Sequence, residues 1–427
     1  MVIPDPAASD ELVVLFVQLA VVLLLATGLG ALARRAGAPP VVGELLTGVV
    51  LGPSLLGLVA PDLYAALFPT DATTLLLGVS SVCLVVLMTV VGFETDLAVA
   101  RARPGQTLLV AAGSVVVPFA LGGALAFLAP DVVLADPDAR LPFVLFVATA
   151  MSISAIPVVA RILLDMGLLD APFGQLAVAV ALVNDTLGWL LLAVVAGIAT
   201  GEGDALASLP GTILALAGIV LVALTAGRWL ADRLGDVADG VALPTVVALA
   251  LGAGAATQAL GVEAVLGAFL VGALARERGT LDARTREAME SVTLAMFAPV
   301  FFAVAGLRVE LGALADPEVA LVGLVAFAVA VVGKVVGTVG AATVAGFERR
   351  ESLALGAVLN ARGAMEIVVA TVGLRLGVLN EAAYAIVVCI AIGTSVMTPP
   401  LVRYVYGGGV ADAASEHGVG SLTRFRR

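Results

Sequence analysis

From end to end the chain alternates apolar runs of membrane-spanning length with short polar connections, and that alternation restricts it to an all-α polytopic membrane fold. About twenty consecutive apolar residues cross the hydrocarbon core of a bilayer as a helix, and backbone placed there must satisfy its own hydrogen bonds. Thirteen such segments are predicted, at approximately 11–33, 41–59, 72–92, 106–128, 142–164, 173–199, 209–231, 241–259, 262–275, 291–307, 319–346, 351–374 and 382–404. The ninth is short and the eighth carries Gly and Gln, so twelve or fourteen spans remain open alternatives. With 61% hydrophobic and 13% charged residues, a soluble fold would leave far too much apolar surface in water.

Connections are short, so no soluble domain is expected within 1–404; residues 405–427 form a polar tail ending in Arg424, Arg426 and Arg427. Loops after odd-numbered segments, together with the tail, hold seventeen arginines, among them Arg34, Arg35, Arg101, Arg161, Arg276 and Arg349. The opposite side holds three: Arg140, Arg308 and Arg375. This bias places the amino terminus outside and the carboxyl terminus in the cytoplasm. No basic stretch precedes the first apolar run, which predicts a retained helix rather than a cleaved signal. The net charge of −11 argues against nucleic acid as a partner. Cys83 and Cys389 lie in apolar runs and the single histidine, His417, in the tail. Neither a disulfide framework nor a resident metal, cofactor or histidine switch is therefore expected in the membrane.

Asp185 sits in the middle of the sixth segment, preceded by Asn184. An ionised carboxylate at that depth costs about 3 kcal/mol to insert, and such residues face the protein interior with a partner. The bland reading is a protonated carboxyl hydrogen-bonded to a neighbouring helix; the functional one is an ion or proton site. Two segments look broken. The fifth reads Ala148-Thr149-Ala150-Met151-Ser152-Ile153-Ser154-Ala155-Ile156-Pro157, and the twelfth reads Asn360-Ala361-Arg362-Gly363-Ala364-Met365-Glu366. Proline removes a backbone donor and frees carbonyls near 153–154, which at this depth only protein or a water-lined cavity can satisfy. A plain proline kink would explain the fifth alone. The pair, seven spans apart and crossing in opposite directions, matches the discontinuous helices of inverted repeats around a transport site.

Lys334, the only lysine, lies near the centre of the eleventh segment and is read as a titratable partner of Asp185. Arg362 and Glu366, spaced i, i+4, are read as a structural ion pair on one helix face. Glu44 and Glu94 lie near segment ends and are expected to be solvated. The amide of Asn184 can hydrogen-bond Asp185 or offer its oxygen to a cation.

Together these residues resemble the monovalent cation:proton antiporters of the sodium/hydrogen exchanger superfamily, in particular the Kef-like branch. The resemblance covers nearly the whole chain and rests on five stretches. These are Gly43-Glu44 through Gly52-Pro53-Ser54 to Gly57, Gly92-Phe93-Glu94-Thr95-Asp96, the break ending at Pro157, Asn184-Asp185 with Lys334, and Ala361-Arg362-Gly363-Ala364-Met365-Glu366. It implies a sodium/proton-antiporter-like fold with inverted repeats, and a homodimer. Within it a moving core (about 72–199 and 291–374) would be flanked by dimerisation helices. It also implies that Asp185 alternately binds a proton and a cation, with Thr149, the fifth-segment carbonyls, Ser152 and Ser154 completing the oxygen shell. Two departures matter. Asn184 stands where electrogenic members with the membrane lysine carry a second aspartate, which favours one cation per proton. The Gln-Asp pair and nucleotide-binding domain of Kef potassium-efflux systems are also missing, so nucleotide regulation is unsupported.

The sequence thus predicts a prokaryotic cytoplasmic-membrane antiporter exchanging Na⁺ or K⁺ for H⁺. A gated cation channel and a sodium-coupled solute symporter are the alternatives. An intramembrane enzyme lacks any nucleophile–base or metal constellation.

Overall fold

The computed structural model describes residues 9–36, 40–95, 104–137, 140–169, 171–199, 239–259, 264–307 and 311–406. Its helices, in chain order, are α1 (Ser9–Arg35), α2 (Pro40–Leu51), α3 (Thr70–Glu94), α4 (Pro104–Phe127), α5 (Arg140–Ser152), α6 (Ile156–Asp165), α7 (Pro172–Ala199), α8 (Asp239–Ala259), α9 (Ala264–Arg278), α10 (Ala283–Val292), α11 (Ala298–Gly306), α12 (Pro317–Val344), α13 (Arg349–Leu359), α14 (Ala364–Arg375) and α15 (Glu381–Tyr406). Short helices at Leu56–Val59 and Pro61–Leu67 follow α2, and a π-helical turn at Thr293–Phe297 joins α10 to α11. Among the described residues there are no named strands, and a single bridge pairs Leu134 with Leu379.

Ten helical stretches of the described residues are long and apolar enough to cross a membrane. Every expected segment except the seventh coincides with helix, the ninth being the 15-residue α9. The seventh, 209–231, lies outside the described residues, as do Arg101, Arg308 and the tail beyond Tyr406. Helix α12 shows why these boundaries are readable. Asp316 accepts a hydrogen bond from the Glu318 N–H at 2.8 Å, and Pro317 occupies the first helical position, where no donor is needed. Along α1 and α12, Val13, Phe16, Leu24, Leu321, Leu324, Val332 and Val336 point outward, an apolar exterior that suits lipid.

The interior forms two large apolar clusters. One gathers Leu45, Leu87, Val158, Phe269, Phe302 and Leu359; the other gathers Phe143, Phe146, Val319, Ala330, Val369 and Ile386. Both expected breaks are present, at 153–155 between α5 and α6 and at 361–363 between α13 and α14. Each lies where the chain leaves one cluster for the other: Met151 and Ile153 belong to the second, Ala155 and Val158 to the first. Helix α12 packs closely on α4 beside these breaks. A Cβ on Gly337 would stand 2.3 Å from the Gly113 carbonyl oxygen, so only glycine lets the two backbones touch there. Lys334 lies one turn before that contact and Ser114 immediately beside it.

Candidate functional site

In an unbroken helix the carbonyls of Ala150, Met151 and Ser152 would accept from the N–H groups of Ser154, Ala155 and Ile156. The chain opens at Ile153, and each carbonyl finds a cationic side chain instead. Arg362 donates through one terminal nitrogen to the Ala150 oxygen at 3.0 Å and through the other to the Met151 oxygen. Lys334 Nζ donates to the Ser152 oxygen at 2.6 Å. On the far side of the gap, the freed Ile156 N–H donates to Asp185 Oδ2 at 3.3 Å. Positive charge thus meets the carbonyl end of α5 and negative charge meets the amino end of α6, the arrangement that helix dipoles favour.

The second break is closed in the same manner. Ser154 Oγ donates to the Leu359 carbonyl at 2.8 Å, Ser395 Oγ donates to the Arg362 carbonyl, and the Gly363 N–H donates to Glu366 Oε2 at 2.7 Å. A Cβ on Gly363 would lie 2.3 Å from Val158 Cγ2, so the two breaks press directly on one another. Arg362 and Glu366 do not form the expected i, i+4 pair. That spacing presumes continuous helix, but 361–363 are not helical, so Arg362 turns to the end of α5 while Glu366 caps its own α14.

Asp185 is 5% exposed, and Asn184 and Lys334 are fully buried. Lys334 was expected to pair with Asp185. Its hydrogen bonds among the described residues end on the carbonyls of Ser152 and Ser114, the latter at 2.8 Å, and the Asp185 carboxylate is near enough to act on its charge. Pro118 in α4 frees the second acceptor: it lacks the N–H that would bond the carbonyl four residues earlier, which is that of Ser114. Asn184 Nδ2 donates to Ser114 Oγ at 2.9 Å and, at 3.5 Å, to Ser154 Oγ. Ser152 Oγ donates to the Thr149 carbonyl at 2.8 Å, and the Thr149 hydroxyl donates to Leu145 within its own helix. The structure therefore joins Asn184, Asp185, Ser152, Ser154, Lys334 and Arg362 in one buried polar cluster, with Thr149 attached through its backbone. If all four are ionised, Lys334 and Arg362 formally balance Asp185 and Glu366.

Ser114 is a member of this cluster that sequence reasoning passed over, although Pro118 four residues on signals its free carbonyl. Two further carboxylates are not solvated as expected. Glu44, 3% exposed, accepts from Arg161 at 2.7 Å, and Arg161 also reaches Asp165 at 3.2 Å. Arg161 is thus a buried anchor of α6 and not a loop cation. Glu94, 8% exposed, is held 3.3 Å from Arg286 and 4.0 Å from Arg276.

Known proteins are similar to this chain in sequence and in fold. The family described as sodium/hydrogen exchanger, transmembrane, matches residues 20–404. The chain is 32% identical to the Na(+)/H(+) antiporter NhaS4 of Synechocystis over 406 residues, 93% of this chain and 98% of that protein. It is also 32% identical to cation/H(+) antiporter 17 of Arabidopsis thaliana, where the match spans 94% of this chain but only 49% of the plant protein. The solved sodium proton antiporter MjNhaP1 of Methanocaldococcus jannaschii superposes with a TM-score of 0.67 at 17% identity, covering 94% of this chain and 98% of that one, a likeness of fold. A multi-pass helical membrane protein whose sequence is matched over residues 20–404, this chain belongs to the sodium/hydrogen exchanger family.

Proposed function

We propose that the protein exchanges Na⁺ or K⁺ for H⁺ by alternating access of one carboxylate, Asp185. The observation that carries the reading is the place of Asp185: buried, at the amino end of α6, where two interrupted helices meet. Protonated Asp185 and cation-bound Asp185 carry the same formal charge, so both can cross an apolar barrier, whereas the bare carboxylate costs more to move. Competition for the one group then couples the two fluxes. A proton and a monovalent cation each bring one positive charge to the same carboxylate, so exchange of one for the other leaves the cluster's charge unchanged. Hydroxyl and carbonyl oxygens of Ser152, Ser154 and Thr149 are the remaining ligands a small hard cation would use. The reading includes an outward amino terminus, a cytoplasmic carboxyl terminus and a homodimer.

Everted vesicles holding an acid-inside gradient test it. Addition of Na⁺ or K⁺ is expected to dissipate the gradient with wild type and not with Asp185→Asn, the more effective ion being the substrate. Cation flux without proton movement would instead indicate a channel, and a requirement for an added solute would indicate a symporter.

A further inference from the structure

Asn360 caps the carboxyl end of α13 at the mouth of the second break and is fully buried. Neither its amide nitrogen nor its amide oxygen has a hydrogen-bond partner, and among the described residues no other buried side-chain amide is left with both ends unmet. An apolar residue of similar size would fit such a place without the desolvation penalty. The surroundings tie the position to Asp185. The carbonyl of Leu359, the preceding residue, accepts from Ser154 Oγ at 2.8 Å, and that same oxygen accepts from Asn184 Nδ2 at 3.5 Å. Two residues further on, Arg362 covers the carbonyls that end α5, and α13 packs directly on α7, which carries Asp185.

We propose that Asn360 is a ligand of the transported cation, an inference that rests on the antiport reading. A monovalent cation takes oxygen ligands and keeps part of its hydration shell when its site is not a complete cage. The ion would take Asn360 Oδ1, and Nδ2 would donate to a water that the ion retains, so both ends of the amide are met only in the cation-loaded state. A proton on Asp185 needs no such ligand. Asn360 would therefore favour the cation-loaded over the proton-loaded carrier without adding charge, setting cation affinity and leaving proton affinity alone.

The test uses the purified full-length protein and Asn360→Leu, with thermal unfolding followed against NaCl, KCl and choline chloride, alongside reconstituted exchange. A ligand that binds only the native state raises its unfolding temperature by an amount that grows with the logarithm of 1 + [L]/Kd. Wild type is expected to be stabilised by its transported cation. Asn360→Leu is expected to be more stable than wild type in choline, because the unmet amide is gone. It should also need about tenfold more cation for the same stabilisation and the same half-maximal exchange. A purely structural amide would give the reverse: a less stable variant with unchanged cation dependence. That result overturns the proposal while leaving antiport intact. If Asn360→Leu does not fold, Asn360→Ala is read for the same shift in cation dependence. Absence of both cation stabilisation and exchange in wild type would remove the antiport reading itself, and this inference with it.

Discussion

Lys334 donates to the carbonyl that ends α5 and to one that Pro118 frees inside α4, and this changes what its removal should do. Lys334→Met leaves the buried carbonyls of Ser114 and Ser152 without their donor, at a cost of about 2–4 kcal/mol at one to two kcal/mol per orphaned acceptor. A lowered unfolding temperature of the detergent-purified protein would register it; an unchanged one would mean that the ammonium is not the donor that counts. Pro118→Ala sharpens the comparison, because it restores the N–H that Ser114 lost. In the Lys334→Met background it is expected to recover about 1 kcal/mol, and a double-mutant cycle measures that coupling. Arg161 is a second case. Arg161→Met would leave Glu44 and Asp165 buried without their shared cation, a loss of about 3–5 kcal/mol. Glu44→Gln, which removes one of two carboxylates facing one guanidinium, is expected to be milder on the same assay.

At the scale of elements, the site is made by two interruptions, each relieving the other. The carbonyl end of α5 is met from the second break by Arg362, and the carbonyl end of α13 is met from the first by Ser154. Their contact depends on Gly363, whose missing Cβ leaves room for Val158. Gly363→Ala forces a methyl into a stiff β-branched neighbour, and about 1–3 kcal/mol of overpacking is expected together with reduced exchange. Val158→Ala, by opening that space, is expected to restore part of the loss. If Gly363→Ala transports and unfolds like wild type, the breaks are not in tight register. The sequence was informative about where each helix stops, because Pro157 and the polar run around Arg362 mark it locally. It was misleading about Arg362 and Glu366, because their spacing argues for a pair only if the helix continues, and it does not.

For the whole molecule, the segment pattern, the two breaks and the burial of Asp185 were legible because each follows from residues close together in the chain. What was not legible depends on distant packing. Lys334 finds acceptors 220 and 182 residues away, and Glu44 is buried because Arg161 arrives from 117 residues further on. The proposed exchange of one cation for one proton is tested at this scale. In proteoliposomes its rate is expected to be unchanged when an imposed membrane potential is reversed, whereas an unequal exchange would respond. The most direct measurement of the shared carboxylate is the apparent KM for the transported cation as a function of pH in the same proteoliposomes. In the proposed mechanism a proton and the cation compete for Asp185, so at low pH the cation must displace the proton. Over the range where Asp185 is protonated, KM should therefore rise by about tenfold per pH unit at constant maximal rate. A KM that stays flat across that range, with the maximal rate falling instead, would contradict competition at a single group.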